Sequence, residues 1–138
     1  MNADFEEHKL QVQKWLKIAD EDSRLAEFAF EMDSNIPYRL ICYHNQQCVE
    51  KYLKALLVSE LIDFPYTHSI EVLIKLCPTK YNLSHQLSDT FNLSNYAVAR
   101  RYPGDYENIF REDALTAVDS ASKAKSIIQI ILHENKFY

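Results

Sequence analysis

Residues 37–61 read PYRLICYHNQQCVEKYLKALLVSEL, and this stretch decides the fold class. Ile41, Cys48, Val49, Tyr52, Leu53, Leu56 and Leu57 recur at three- and four-residue steps, which places them on one face of a long helix. Pro37 suits the first helical turn, and Asn35 before it can cap. His44, Gln47, Lys51 and Lys54 step along the polar side. Glu50 and Lys54 stand four apart and are expected to pair at the surface. Lys51 has two readings. It belongs to a solvated face or, one turn from Gln47, to a polar groove.

The same periodicity extends outward in both directions. A first helix is expected from about Phe5 to Met32, with Trp15, Ile18, Ala19, Leu25, Ala26, Ala29 and Met32 as its apolar stripe. Asp22 falls on that stripe and needs a partner, expected on the second helix. A turn over Ile62–Thr67 contains Pro65, and a short helix follows from about His68 to Leu76 with Thr67 as its N-cap. A fourth helix is expected over about Ser84–Val98. The stretch Ala99 to Tyr106 combines Pro, Gly and Asp and forms the main loop. The last helix, from about Phe110 to His133, carries Ala114, Ala117, Val118, Ala121, Ala124, Ile127, Ile128 and Ile131. The result is an all-α, antiparallel up-and-down bundle of four main helices plus one short helix, in a single domain over residues 1–138.

Composition supports this reading and excludes others. Gly104 is the one glycine. An average chain of this length would hold roughly nine or ten. A dinucleotide-binding turn or a P-loop therefore cannot be built, and tight β-hairpins are disfavoured. The net charge of −5 argues against non-specific DNA binding. No apolar run is long enough to span a bilayer, and the polar, acidic N-terminus is no signal peptide, so a cytoplasmic protein is expected. Cys42, Cys48 and Cys77 are an odd set without a C-x-x-C pair and read as reduced, mostly buried thiols.

Templates for chemistry are few. There is no H-E-x-x-H and no histidine pair at ligand spacing, so neither a metal nor a cofactor is expected. His44 and Cys48 stand four apart and read as a core thiol beside a surface histidine, with a nucleophile–base pair as the less favoured alternative. Arg100 and Arg101 either complement a helix C-terminal dipole or bind phosphate bidentately, with Tyr102 and Tyr106 stacking on bases or donating hydrogen bonds. His68 either hydrogen-bonds locally or lines the same pocket as the arginines.

Taken in order, several segments resemble the HEPN family of small prokaryotic helical domains. They are Trp15, Ala19 and Asp22; the run His44 to Leu57, close to that family's Q-x-x-E-K-x-L-K-A pattern; Pro65-Tyr-Thr-His68; Tyr96; Arg101-Tyr-Pro103; and Asp113-Ala114 in an Ala-rich last helix. The resemblance implies a helical bundle that homodimerises and binds a nucleotide or RNA phosphate. It also implies pairing with a minimal nucleotidyltransferase as two halves of a toxin–antitoxin system. Many members are metal-independent endoribonucleases whose Arg is followed, after four to six residues, by a His; the two subunits' pairs meet at a cleft. Arg101 takes the arginine's place, whereas Tyr106 stands where the His would be, and no His occurs between His85 and His133. A phenol with a pKa near 10 is a poor base at neutral pH. Nucleotide or RNA-phosphate binding, with Arg100, Arg101, Tyr102, Lys51 and His68 as site residues, is therefore the first expectation. An endoribonuclease in which Arg101 works with Tyr106 or His68 is the second, and a non-catalytic interaction module with an acidic surface is the third.

Overall fold

A computed structural model describes residues 3–97 and 109–138. Three long helices dominate: α1 (Ala3–Phe30), α2 (Tyr38–Ser59) and α5 (Arg111–Glu134). Between α2 and α5 lie α3 (Ile70–Leu76), a 3-10 turn (Thr79–Tyr81), the single-turn α4 (Leu83–Gln86) and a 3-10 helix (Ser88–Tyr96). No strand occurs among the described residues.

Side-chain pairs fix the helix directions. His8 meets the Val58 carbonyl and Asp22 meets His44, while Phe30 packs on Tyr38, so α1 and α2 are antiparallel. Asp20 pairs with Lys125 and Phe30 faces the Arg111 guanidinium, so α1 and α5 are antiparallel as well. The segments between α2 and α5 return the chain, which completes an up-and-down bundle.

α2 is the central helix, packing on α1, α3, α5 and the 3-10 helix. All seven of its expected apolar positions, Ile41 to Leu57, are buried. On α5, Ala114, Ala117, Ala121, Ala124, Ile128 and Ile131 are buried as expected. The small alanines let α5 lie close to α2.

α1 corrects part of the expected stripe. Ala19 and Ala26 are buried as expected, and Trp15 and Ala29 are partly buried, but Ile18, Leu25 and Met32 are exposed and Val12 and Leu16 are buried in their stead. The helix is rotated toward Val12 and Leu16 because α2 meets it along that line, and Trp15 packs at the edge against Phe64. The short helix begins at Ile70, and its N-cap is Ser69, whose hydroxyl accepts from the Val72 amide at 3.2 Å. Thr67 acts one step earlier, accepting from the Ser69 amide. The expected fourth helix divides into α4 and the 3-10 helix around Leu87, Thr90 and Leu93, all buried.

With no glycine available at these positions, the chain uses other residues in left-handed backbone. Asn35, Leu61, Asn82 and Lys136 have φ between 52° and 68°. Leu61 closes α2: the Ile62 amide donates to the Leu57 carbonyl at 2.9 Å and the Leu61 amide to Val58 at 3.0 Å. Lys136 closes α5 in the same way, with the Phe137 amide on Leu132 and the Lys136 amide on His133. These are glycine-type helix ends occupied by residues that bear a Cβ. At the start of α5, the Asp113 carboxylate accepts from the Phe110 amide at 2.7 Å.

Candidate functional site

The polar side of α2 is built into the protein rather than left in solvent. Glu50 corrects the expectation of a surface pair with Lys54, since its side chain is 3% exposed. One carboxylate oxygen accepts from Lys54 Nζ at 2.8 Å and the other from Gln46 Nε2 at 2.8 Å. Gln47 Nε2 donates to Gln46 at 2.7 Å and reaches Glu50 at 3.4 Å. His68 closes the group from the loop before α3, with Nδ1 3.1 Å from each Glu50 oxygen. Burial acts to raise the carboxyl's pKa, but hydrogen bonds from Lys54, Gln46 and His68 outweigh it and hold Glu50 below the usual carboxylate range. Lys54 also lies 5.7 Å from the ring centres of Trp15 and Phe64, which cover its stem and face its charge.

A second cluster lies one turn around α2. Asp22 of α1 binds His44 Nδ1 at 2.8 Å and Lys51 Nζ at 2.5 Å, which gives the acid on the α1 stripe its expected partners on the second helix. Lys51 is thus held by a carboxylate, and its side chain is partly exposed. Further along, the Tyr52 hydroxyl donates to Asp20, Gln129 Nε2 donates to Tyr52 at 3.1 Å, and Lys125 pairs with Asp20 at 3.2 Å. Burial, then the bond to Asp20, pushes the Tyr52 phenol far up. Its role is to join α1, α2 and α5.

The thiols are structural. All three are free and buried. Burial pushes Cys48 and Cys77 up to about 12 and Cys42 up to about 11, the last partly countered by a hydrogen bond with Tyr96. His44 turns its Nδ1 to Asp22, and a thiol protonated at neutral pH is no nucleophile. No group of three or more metal-ligating side chains occurs among the described residues, and no described helix is long and apolar enough to cross a membrane.

A half-open hollow of about 230 Å³ lies where α1 meets the start of α2. Its walls are Leu25, Ala26, Phe28, Met32, Leu40 and neighbouring apolar residues, with His44 as the polar contribution. It lacks the donors a phosphate needs.

Arg100, Arg101, Tyr102 and Tyr106 lie outside the described residues. The two flanks of their segment are described. Ala97 is buried, Tyr96 reaches Cys42 on α2, and the Arg111 guanidinium lies 5.2 Å from the centre of the Phe30 ring. The loop carrying His68 is tied toward the first flank, because the Ile70 amide donates to Ser94 Oγ at 2.9 Å. Of the expected site residues, Lys51 and His68 are therefore described, each fastened to its own acid on or beside α2.

Sequence reasoning missed Glu50 as a buried anchor. Its signal was available: Gln46, Glu50 and Lys54 recur at four-residue spacing directly beside the apolar face. It also passed over Tyr66, which is 91% exposed beside His68.

Comparison with known proteins agrees with this architecture. A family model described as the HEPN domain matches residues 12–133. No curated protein matches the chain. Among solved structures, the crystal structure of ST0689, an archaeal HEPN homologue, is similar with a TM-score of 0.67 and 26% sequence identity. That similarity covers 86% of this chain and 94% of the archaeal one.

Proposed function

The chain belongs to the HEPN domain family, and on that premise we propose that it binds a nucleotide or an RNA phosphate through the segment bearing Arg100, Arg101 and Tyr102. The observation that carries this reading is the extent of the family match. Residues 12–133 include the two arginines and the helices on either side of them. Adjacent guanidinium groups suit bidentate phosphate binding, and Tyr102 offers a ring for stacking. The chain acts as a homodimer in a toxin–antitoxin type pair with a nucleotidyltransferase.

Cleavage is the second reading, and one described feature favours it. His68 is a histidine whose Nδ1 faces a buried carboxylate, the arrangement that orients an imidazole for proton transfer. In that reading Arg101 stabilises charge on the phosphate, and His68 or Tyr106 handles the proton.

Incubation of the purified protein with RNA in EDTA, alongside Arg101→Ala, separates the two. Saturable binding of RNA or nucleotide without cleavage, weakened in Arg101→Ala, is the result expected from the first reading. Metal-independent cleavage lost in Arg101→Ala establishes the second. Sedimentation at micromolar concentration tests the dimer, and a monomer removes it. Co-purification with a co-expressed minimal nucleotidyltransferase tests the partner.

A further inference from the structure

The loop Pro65-Tyr66-Thr67-His68 sets Tyr66, a side chain that the packing of the bundle does not require, beside His68, which is anchored to Glu50. Tyr66 is 91% exposed, and its ring stands edge-on to that of His68 with centres 5.5 Å apart. The backbone beneath them is fixed. Gln46 Nε2 donates to the His68 carbonyl at 3.3 Å, and Thr67 Oγ1 accepts from the Ser69 amide at 3.0 Å. The His68 ring is fixed too, through Nδ1 to both oxygens of Glu50. A carboxylate accepts and does not donate, so Nδ1 carries the proton that faces Glu50, and in that tautomer Nε2 is the acceptor. Glu50 is itself neutralised by Lys54 at 2.8 Å, so the carboxylate behind His68 does not repel a polyanion as a bare charge would.

An exposed aromatic face beside an oriented hydrogen-bond acceptor matches the chemistry of one unpaired ribonucleotide. We propose that Tyr66 stacks on an unpaired base of single-stranded RNA while His68 Nε2 accepts a hydrogen bond from a neighbouring ribose 2′-OH. The 2′-OH is the group that distinguishes RNA from DNA. Tyr66 thus supplies sequence-tolerant affinity, and His68 supplies preference for RNA over DNA. Glu50 is the positioning residue that sets the ring. This inference rests on the RNA-binding reading above and adds a second contact to it, apart from the arginines in sequence.

The test is fluorescence anisotropy with one labelled single-stranded RNA and the DNA of the same sequence, using the full chain in EDTA. Tyr66→Ala is expected to weaken RNA binding about 5- to 150-fold, the range for loss of one stacked base, while Tyr66→Phe retains it. His68→Ala is expected to bring the RNA and DNA affinities together. Tyr66 lies outside the core, so its variant folds, and far-UV circular dichroism checks the His68 variant. Wild-type binding that Arg101→Ala weakens but Tyr66→Ala leaves within twofold overturns this inference alone. No RNA binding by the wild type overturns both it and the reading on which it rests. A Tyr66→Ala variant with unchanged RNA affinity and altered sedimentation mass assigns the loop to a protein contact and also overturns the inference.

Discussion

Replacing Glu50 with leucine takes away the acceptor shared by Lys54, Gln46, Gln47 and His68. The expected cost follows from what remains. Lys54 keeps a side chain only 11% exposed and loses its counter-charge, while the Trp15 and Phe64 rings at 5.7 Å offset a fraction of that loss. Breaking a buried ion pair from one side costs about 3–5 kcal/mol. A domain of this size has roughly 5–15 kcal/mol in total, so Glu50→Leu should remain folded with a large share of its stability gone. In urea unfolding followed by far-UV circular dichroism, with a slope of about 2 kcal/mol per molar, the midpoint should fall by about 2 M. Glu50→Leu combined with Lys54→Met removes both charges and should recover most of the loss, because a pair replaced by apolar residues is often near neutral. A Glu50→Leu variant within about 1 kcal/mol of wild type, or a double variant no more stable than the single, would refute the account of Glu50 as a buried, shared acceptor.

Four further outcomes follow from the same structure. Glu50 has its pKa lowered in the folded protein from an ordinary 4.5, so its contribution is full above that value and is lost as pH falls through the folded one. Glu50→Gln should therefore flatten the acid limb of a stability–pH curve measured by thermal unfolding. Cys42, Cys48 and Cys77 are buried with raised pKa values, so a thiol reagent at pH 8 should label none of them in the native protein and all three in urea. Leu61 is 80% exposed with φ at 58°, so Leu61→Gly should relieve backbone strain without core loss and raise stability by about 0.5–1 kcal/mol in urea titration. Asp113→Ala removes the acceptor for the Phe110 amide and should cost about 1 kcal/mol by the same titration.

The helices were legible where neighbours on several sides bury one helix along its length. On α2, spacing alone marks the apolar positions Ile41, Cys48, Val49, Tyr52, Leu53, Leu56 and Leu57, all buried, whereas the polar residues Glu50 and Lys54 beside them, also buried, were read as a surface pair. α1 is less central, so the expected stripe held the buried Ala19 and Ala26 but took in the exposed Ile18, Leu25 and Met32 in place of Val12 and Leu16, which packing selects. Between α2 and α5, helices of a few residues take their shape from tertiary contacts such as buried Leu87 and Leu93, which local propensity does not encode. Asp22 was readable because a carboxylate on an apolar stripe requires a partner, and His44 and Lys51 supply it. Glu50 was misplaced because Glu and Lys four apart look alike on a solvated face and beneath a loop. The loop that covers them, with His68, comes from eighteen residues further along the chain. The arginines were singled out by residue type and family pattern, and Arg100, Arg101, Tyr102 and Tyr106 fall outside the described residues.

The central claim is that this chain binds an RNA or nucleotide phosphate through Arg101. Titration of a labelled single-stranded RNA with wild type and Arg101→Ala, in EDTA and over a range of salt, tests it most directly. The account predicts saturable wild-type binding that weakens as salt rises and falls about tenfold or more in Arg101→Ala. Superimposable curves for the two proteins, or no binding by the wild type at low salt, would contradict it.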